Sequence, residues 1–260
     1  MKNKSRSHYD KIAPWVLPVG IIVIWQLTSK LGVLGENILP SPYNIVLAAI
    51  ELTVSGDIFR HIFTSATRAV TGFIIGGLLG LILGIVNGTI PFFQKHLDTT
   101  VQMIRNIPNL ALVPLVIIWF GVGETAKVFL VLAGVFFPIY INTYHGIRNV
   151  NQNLIEMGKI YGLSKAKLFT KVILPGALPS ILVGIRYSLG VMWLTLIVAE
   201  TLAASSGIGY MSSNAREFMQ LDIVVLAILL YALLGKVADS LAKSLERSLL
   251  RWNPAYAKKS

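Results

Sequence analysis

The chain of 260 residues is 54% hydrophobic and only 13% charged, with a mean hydropathy of +0.68, which excludes a soluble globular protein and indicates a polytopic membrane protein. Its net charge of +11 sits in tails and loops beside apolar runs, the pattern of cytoplasmic membrane flanks, and so argues against a nucleic-acid partner. Without cysteine there is no disulfide frame or thiolate metal site, and the dispersed His61, His96 and His145 form no metal cluster.

Residues 1–13 are a tail in which Lys2, Lys4, Arg6 and Lys11 outnumber Asp10, so the positive-inside rule places it in the cytoplasm. A transmembrane domain is expected over 14–245. Its first span, 14–28, belongs to an apolar run too long for a cleaved signal peptide and is read as retained. An outside segment follows over 38–62, where Pro40 and Pro42 open a short amphipathic helix, with the acids Glu36, Glu51 and Asp57 in this region. The second span, 65–86, places Gly72, Gly76, Gly80 and Gly84 at four-residue intervals, continued by Gly88, with Gly77 beside them. That spacing puts the missing side chains on one face, a groove for a neighbouring helix. Mere tolerance of glycine in a membrane would explain scattered glycines but not this register.

Residues 91–100 are expected to turn back in the cytoplasm, and 101–120 form a third span that opens with Arg105, Asn106, Pro108 and Asn109. Polar groups at membrane depth need internal partners or a water-lined cavity, so this stretch is predicted to face the bundle interior. Residues 121–127 make an outer turn whose G-x-G is too weak to indicate a nucleotide site, and 128–145 is the fourth span.

The segment 151–180 is the one interior stretch with clustered positive charge, Lys159, Lys165, Lys167 and Lys171 against Glu156 alone, and it must face water. It reads as two short helices forming a shelf: Asn153 caps the first with Glu156 three residues on, Gly162 supplies a left-handed stop, Ser164 caps the second, and Leu174–Pro175 ends it. The fifth span, 181–199, contains Arg186 and Trp193 and ends at Glu200. Arg186 either snorkels to cytoplasmic phosphates or lines a path through the bundle. Residues 201–221 read as an outer loop with a flexible turn at Ser205, Ser206, Gly207 and Gly209; 222–237 is the sixth span, and 246–260 is a basic cytoplasmic tail. The result is an all-α chain of about six transmembrane helices with both termini cytoplasmic. Arg105, Asn106, Asn109, Asn142, Arg186 and Trp193 are the candidate lining of a path through the bundle, which would be a translocation path if the chain transports a solute.

The shelf resembles the coupling loop of the permease subunits of ATP-binding-cassette (ABC) importers, written E-A-A, three residues, G, nine residues, I, one residue, L-P. Glu156, Gly162, Val172, Leu174 and Pro175 fall at those positions, while Met157 and Gly158 stand where the alanines are expected and Val172 replaces isoleucine. An ordinary amphipathic surface helix is the alternative that the five matched positions disfavour. The LPSP at Leu39–Pro42, NTYHGIRNV at Asn142–Val150, the long run Leu174–Thr201, SSGIGYM at Ser205–Met211, NAREF at Asn214–Phe218 and RWNPAY at Arg251–Tyr256 extend the likeness. They narrow it to the sulfonate, taurine and nitrate branch, nearest the aliphatic-sulfonate permeases.

The resemblance implies a type I importer fold in a bacterial inner membrane, a homodimer of permeases, a dimer of ABC ATPases that hold ATP and magnesium, and an extracytoplasmic substrate-binding protein. The residues agree that the motor lies elsewhere. There is no G-x-x-x-x-G-K-[ST], since Gly235-Lys236 is followed by Val237, no nucleophile-base constellation, and no cofactor site. Asp98, Glu124, Glu156, Glu200 and Asp222 all fall at or beyond span ends, so buried acids of a proton-coupled carrier are not expected. That absence weighs against an autonomous secondary carrier, the rival reading.

Overall fold

The computed structural model describes residues 8–33, 35 and 38–253. The charges expected to orient the tails at Lys2, Lys4, Arg6, Lys258 and Lys259, the acid Glu36, and the end of the RWNPAY stretch lie outside the described residues. Among the described residues the chain is helical, with no strand.

Helix α1 (His8–Lys30) leads to α2 (Pro42–Val54), whose first turn is closed by Ser41: its Oγ accepts from the Asn44 amide at 3.1 Å, and Pro42 occupies the position where no amide partner is needed. Gly56, at φ 81°, turns the chain into α3 (Asp57–Thr89), so the long second helix begins well before the expected span start. The stretch 91–120 departs furthest from expectation. It holds an amphipathic helix, α4 (Pro91–Arg105), then a 3-10 turn at Asn109–Leu112 and α5 (Val113–Phe120), and the two halves meet at 84°. Pro108 removes an amide donor and restricts Ile107, so a single straight third span cannot form across Asn106–Pro108.

Helix α6 (Glu124–Arg148) is followed by α7 (Gln152–Ile160) and α8 (Lys165–Leu168), then a π-helical turn at Phe169–Ile173 and α9 (Leu174–Ala203). Leu174–Pro175 therefore does not end a helix. The Leu174 amide donates to the Phe169 carbonyl, and this wider turn lets a proline without an amide enter at the start of α9. Residues 201–221 contain α10 (Ile208–Glu217), and α11 (Leu221–Leu249) runs well past the expected end of the sixth span. Among the described residues four helices, counting Lys165–Leu202 as one, are long and apolar enough to cross a membrane, five if the bent pair counts as one span, and the apolar Trp15–Lys30 of α1 is shorter.

α3 and α6 run side by side in the same direction, with Gly72 against Val131, Gly76 against Leu132, Gly80 against Phe136 and Gly84 against Thr143. A Cβ at Gly76 would lie 2.5 Å from the Leu132 carbonyl oxygen, and one at Gly80 2.6 Å from that of Phe136, so the two backbones touch. α9 returns antiparallel along α6, and Ala69, Val131, Val135, Ile139, Met192, Leu196, Ala227 and Tyr231 form the shared core.

Replacing Gly80 by leucine drives a side chain into the α6 backbone, whereas a methyl at Gly77 meets only the end of Ile139 at 3.3 Å. Gly80→Leu is expected to lower the yield of folded protein and its melting temperature strongly, and Gly77→Ala to change both little, measured by fluorescence size-exclusion after a heat challenge. Equal melting curves would show that the α3–α6 contact tolerates bulk.

Candidate functional site

The shelf is built at one end of the bundle. Asn151, not Asn153, caps α7: its Oδ1 accepts from the Asn153 amide at 2.9 Å, which places Glu156 too far along the helix for a capping box. Gly162 takes φ 71°, and the amides of Gly162 and Leu163 donate to Lys159 O at 2.9 Å and Gly158 O at 3.0 Å, the paired bonds that close a helix with a left-handed residue. Ser164 caps α8 through the Lys167 amide at 3.4 Å. Gly158 is buried, and a Cβ there would lie 2.6 Å from Leu168 Cδ1, so it lets α8 lie flat on α7. Val172 reaches the same spot, while Leu174 packs against the cluster around Ile147 and Ala177.

What remains outward on α7 is apolar at helical spacing. Leu154, Met157, Ile160 and Tyr161 are exposed, Ile160 by 85%, with Glu156 and Lys159 beside them. Exposed apolar residues grouped in this way are the kind of surface that another protein can cover.

The polar stretch at the bend opens onto a cavity of about 400 Å³ whose walls include Arg105, Asn106, Asn109, Phe137, Tyr187 and Val191. Asn109 is anchored there, its amide donating to Leu130 O and Thr195 Oγ1, both at 3.2 Å. The other candidates are placed elsewhere. Asn142 donates to Pro138 O at 2.8 Å and abuts Gly184. Arg186 lines a separate groove, where its Nε donates to Asp239 of α11 at 2.7 Å, a protein partner in place of lipid phosphates. Trp193 is buried against Tyr231 in the core.

At the end opposite the shelf lies a constellation that the sequence reading missed. Arg68 of α3, only 3% exposed, is gripped by two carboxylates: Glu124 at the start of α6, bonded to Nε and Nη2 at 2.5 Å, and Glu200 of α9, bonded to Nη1 at 2.7 Å. Glu200 is 1% exposed and also accepts from Ser65 Oγ, the Gly209 amide and Tyr231 Oη at 2.8 to 3.0 Å. The expectation of no buried acid is thus corrected, and the reason the membrane tolerates Glu200 is its full set of donors and a paired cation. Arg68 stood in the sequence as the one cation within the second span, the signal that could have found it. The supposedly flexible turn is tied down by the same groups. Ser206 O accepts from Arg68 at 2.6 Å, and the Gly207 amide donates to His61 Nδ1 at 3.0 Å.

Residues 76–251 match the family described as the binding-protein-dependent transport system inner membrane component. The chain is 60% identical over 246 residues to the putative aliphatic sulfonates transport permease protein SsuC of Escherichia coli (strain K12), covering 95% of this chain and 94% of that one. It is 45% identical to the protein of the same description from Bacillus subtilis (strain 168), covering 98% and 92%. The taurine transport system permease protein TauC of Escherichia coli (strain K12) is 33% identical over 90% and 86%. Among solved structures, an amino acid ABC transporter superposes with a TM-score of 0.62 at 18% identity, covering 78% of this chain and 97% of that one. The inward-facing MetNI methionine ABC transporter gives 0.57 at 17% identity, covering 72% and 95%. The architecture is that of a type I ABC importer permease.

Truncating Glu200 would remove the acceptor shared by Ser65, Tyr231 and the Gly209 amide and leave Arg68 Nη1 with Ser206 O alone, whereas Glu124 is largely exposed. Glu200→Ala is expected to destabilise by on the order of 3 kcal/mol and Glu124→Gln by clearly less. Thermal unfolding of the purified protein checks the order; a reversed order would mean that the Glu124 pair, not Glu200, holds the cluster.

Proposed function

The chain belongs to the family of binding-protein-dependent transport system inner membrane components, and from that premise we propose that it is the permease subunit of an ATP-driven importer of aliphatic sulfonates. The observation that carries the substrate class is near full-length kinship with permeases described as aliphatic-sulfonate transporters. The chain itself is a transport subunit. Family membership implies an ATPase and a substrate-binding protein as partners. ATP and magnesium belong to the ATPase, and this chain needs no cofactor of its own.

In this reading the outward face of α7 seats in the ATPase. Leu154, Met157, Ile160 and Tyr161 supply apolar contact, and Glu156 supplies a carboxylate for a basic group across the boundary. Movement of the ATPases displaces the shelf and opens the bundle to alternate sides. A second copy of the chain covers the groove that holds the Arg186–Asp239 pair, because a half-exposed ion pair between α9 and α11 is poorly placed against lipid. The neighbouring cavity beside Arg105, Asn106 and Asn109 shares Tyr187 and Val191 with that groove, so the path runs between the copies. The shelf and both termini face the cytoplasm, and the Arg68 cluster lies toward the outside.

Reporters test the orientation: a fusion at Lys165 should label as cytoplasmic and one at Gly56 as external, and the opposite pair of labels would overturn it. Coupling is tested by Glu156→Lys and Gly162→Val. The first sets like charges against each other at a cost of several kcal/mol as an order of magnitude, and the second opposes a left-handed backbone. Both variants should insert at normal abundance yet lose ATPase co-purification and sulfonate-stimulated hydrolysis by about tenfold or more. Normal coupling in both would make the shelf a plain surface helix.

A further inference from the structure

The Arg68 cluster contains two buried cations under one exposed anion. The side chains of Arg68 and Lys127 are 3% and 4% exposed, while that of Glu124, which bonds both, is 63% exposed. Its carboxylate takes the Nε and Nη2 edge of the guanidinium at 2.5 Å each, and Lys127 Nζ donates to it at 3.1 Å. That edge is the one a planar guanidinium offers to any two-oxygen anion.

Arg68 does not depend on Glu124 for its orientation. Nη1 is held by Glu200 at 2.7 Å and by Ser206 O at 2.6 Å, and Glu200 is in turn fixed by Ser65, Gly209 and Tyr231. If the Glu124 side chain swings out, the fork stays aimed at the vacated place with Lys127 beside it. The charges then read Arg68 and Lys127 against Glu200, one positive charge in excess, matched by one monoanion. Ser206 Oγ, which accepts from Nη2 at 3.1 Å, keeps a proton to donate.

We propose that Arg68 and Lys127 form a binding site for a singly charged sulfonate at the end of the bundle opposite the shelf, and that Glu124 fills it as an intramolecular stand-in which an arriving substrate displaces. Two sulfonate oxygens take the guanidinium edge and the third reaches Lys127. The site lies on the α3 side of α6, apart from the cavity that holds Asn109, and would receive substrate before it enters the path. The choice of sulfonate rests on the proposed function; the oxyanion chemistry rests on the residues. A tethered carboxylate competes at an effective concentration on the order of millimolar, so the native site binds weakly and releases readily.

The full-length permease in lipid nanodiscs is titrated with methanesulfonate by calorimetry at constant ionic strength, with neutral dimethyl sulfone as control. Glu124→Gln should bind methanesulfonate about tenfold more tightly than the unaltered chain, and adding Arg68→Lys or Lys127→Met should remove that gain. Dimethyl sulfone should bind none of them. Glu124→Asp, too short to span both cations, should show a smaller gain and serves if the glutamine variant is recovered unfolded. No gain in either Glu124 variant, or a gain indifferent to Arg68 and Lys127, overturns the proposal and leaves the cluster a structural ion pair. Uptake by the complete transporter in liposomes separates the two readings. Sulfonate import without the gain sinks this site alone, and the gain without import sinks the sulfonate assignment while the oxyanion site stands.

Discussion

Close approach of α3 and α6 is the constraint on which the rest of the bundle depends. Four glycines leave the Val131–Thr143 face of α6 in contact with bare backbone, so the two helices behave as one wall. In a membrane there is no solvent to drive apolar surfaces together, and dispersion between well-fitted backbones carries the association instead. α9 then packs along the other side of that wall, and Gly134, Gly146 and Gly184 mark where it comes nearest. The hydrogen bond from Asn87 to Tyr140 Oη at 2.7 Å fastens the same pair at the shelf end, as Arg68 and Glu124 fasten it at the other.

Polar groups at the two ends do different work. At the shelf they are spent on helix ends, with Asn151 and Ser164 capping α7 and α8 and Gly162 closing the turn between them. At the opposite end they are sunk into the protein and satisfied by one another. Gly207 and Gly209 are small there because the Glu200 side chain occupies the space that a Cβ would need at either position. A sequence of serines and glycines that reads as a loose turn is in fact moulded around a carboxylate.

Much of this was legible in the chain because it is local. The four-residue glycine period and the Gly162 stop are each contained in a few consecutive residues, and each has a steric cause that operates at short range. The continuation of the shelf into α9 was not, since proline ordinarily ends a helix and only the π turn lets the chain pass it. Still less could the Arg68–Glu200 pair be read, because 132 residues separate its members and nothing local to either names the other. An arginine alone in an apolar run states that a partner exists, not where it is.

The unbroken run from Lys165 to Leu202 has a mechanical consequence. Thirty-eight residues of helix make a lever arm about 57 Å long, rooted at the shelf and carrying Glu200 in its last turn. Each degree of swing about its midpoint carries both tips roughly half an ångström in opposite directions. A displacement at Ser164 would therefore reach the Arg68 grip as a pull on Glu200, one of its two carboxylates, while Glu124 would stay with α6.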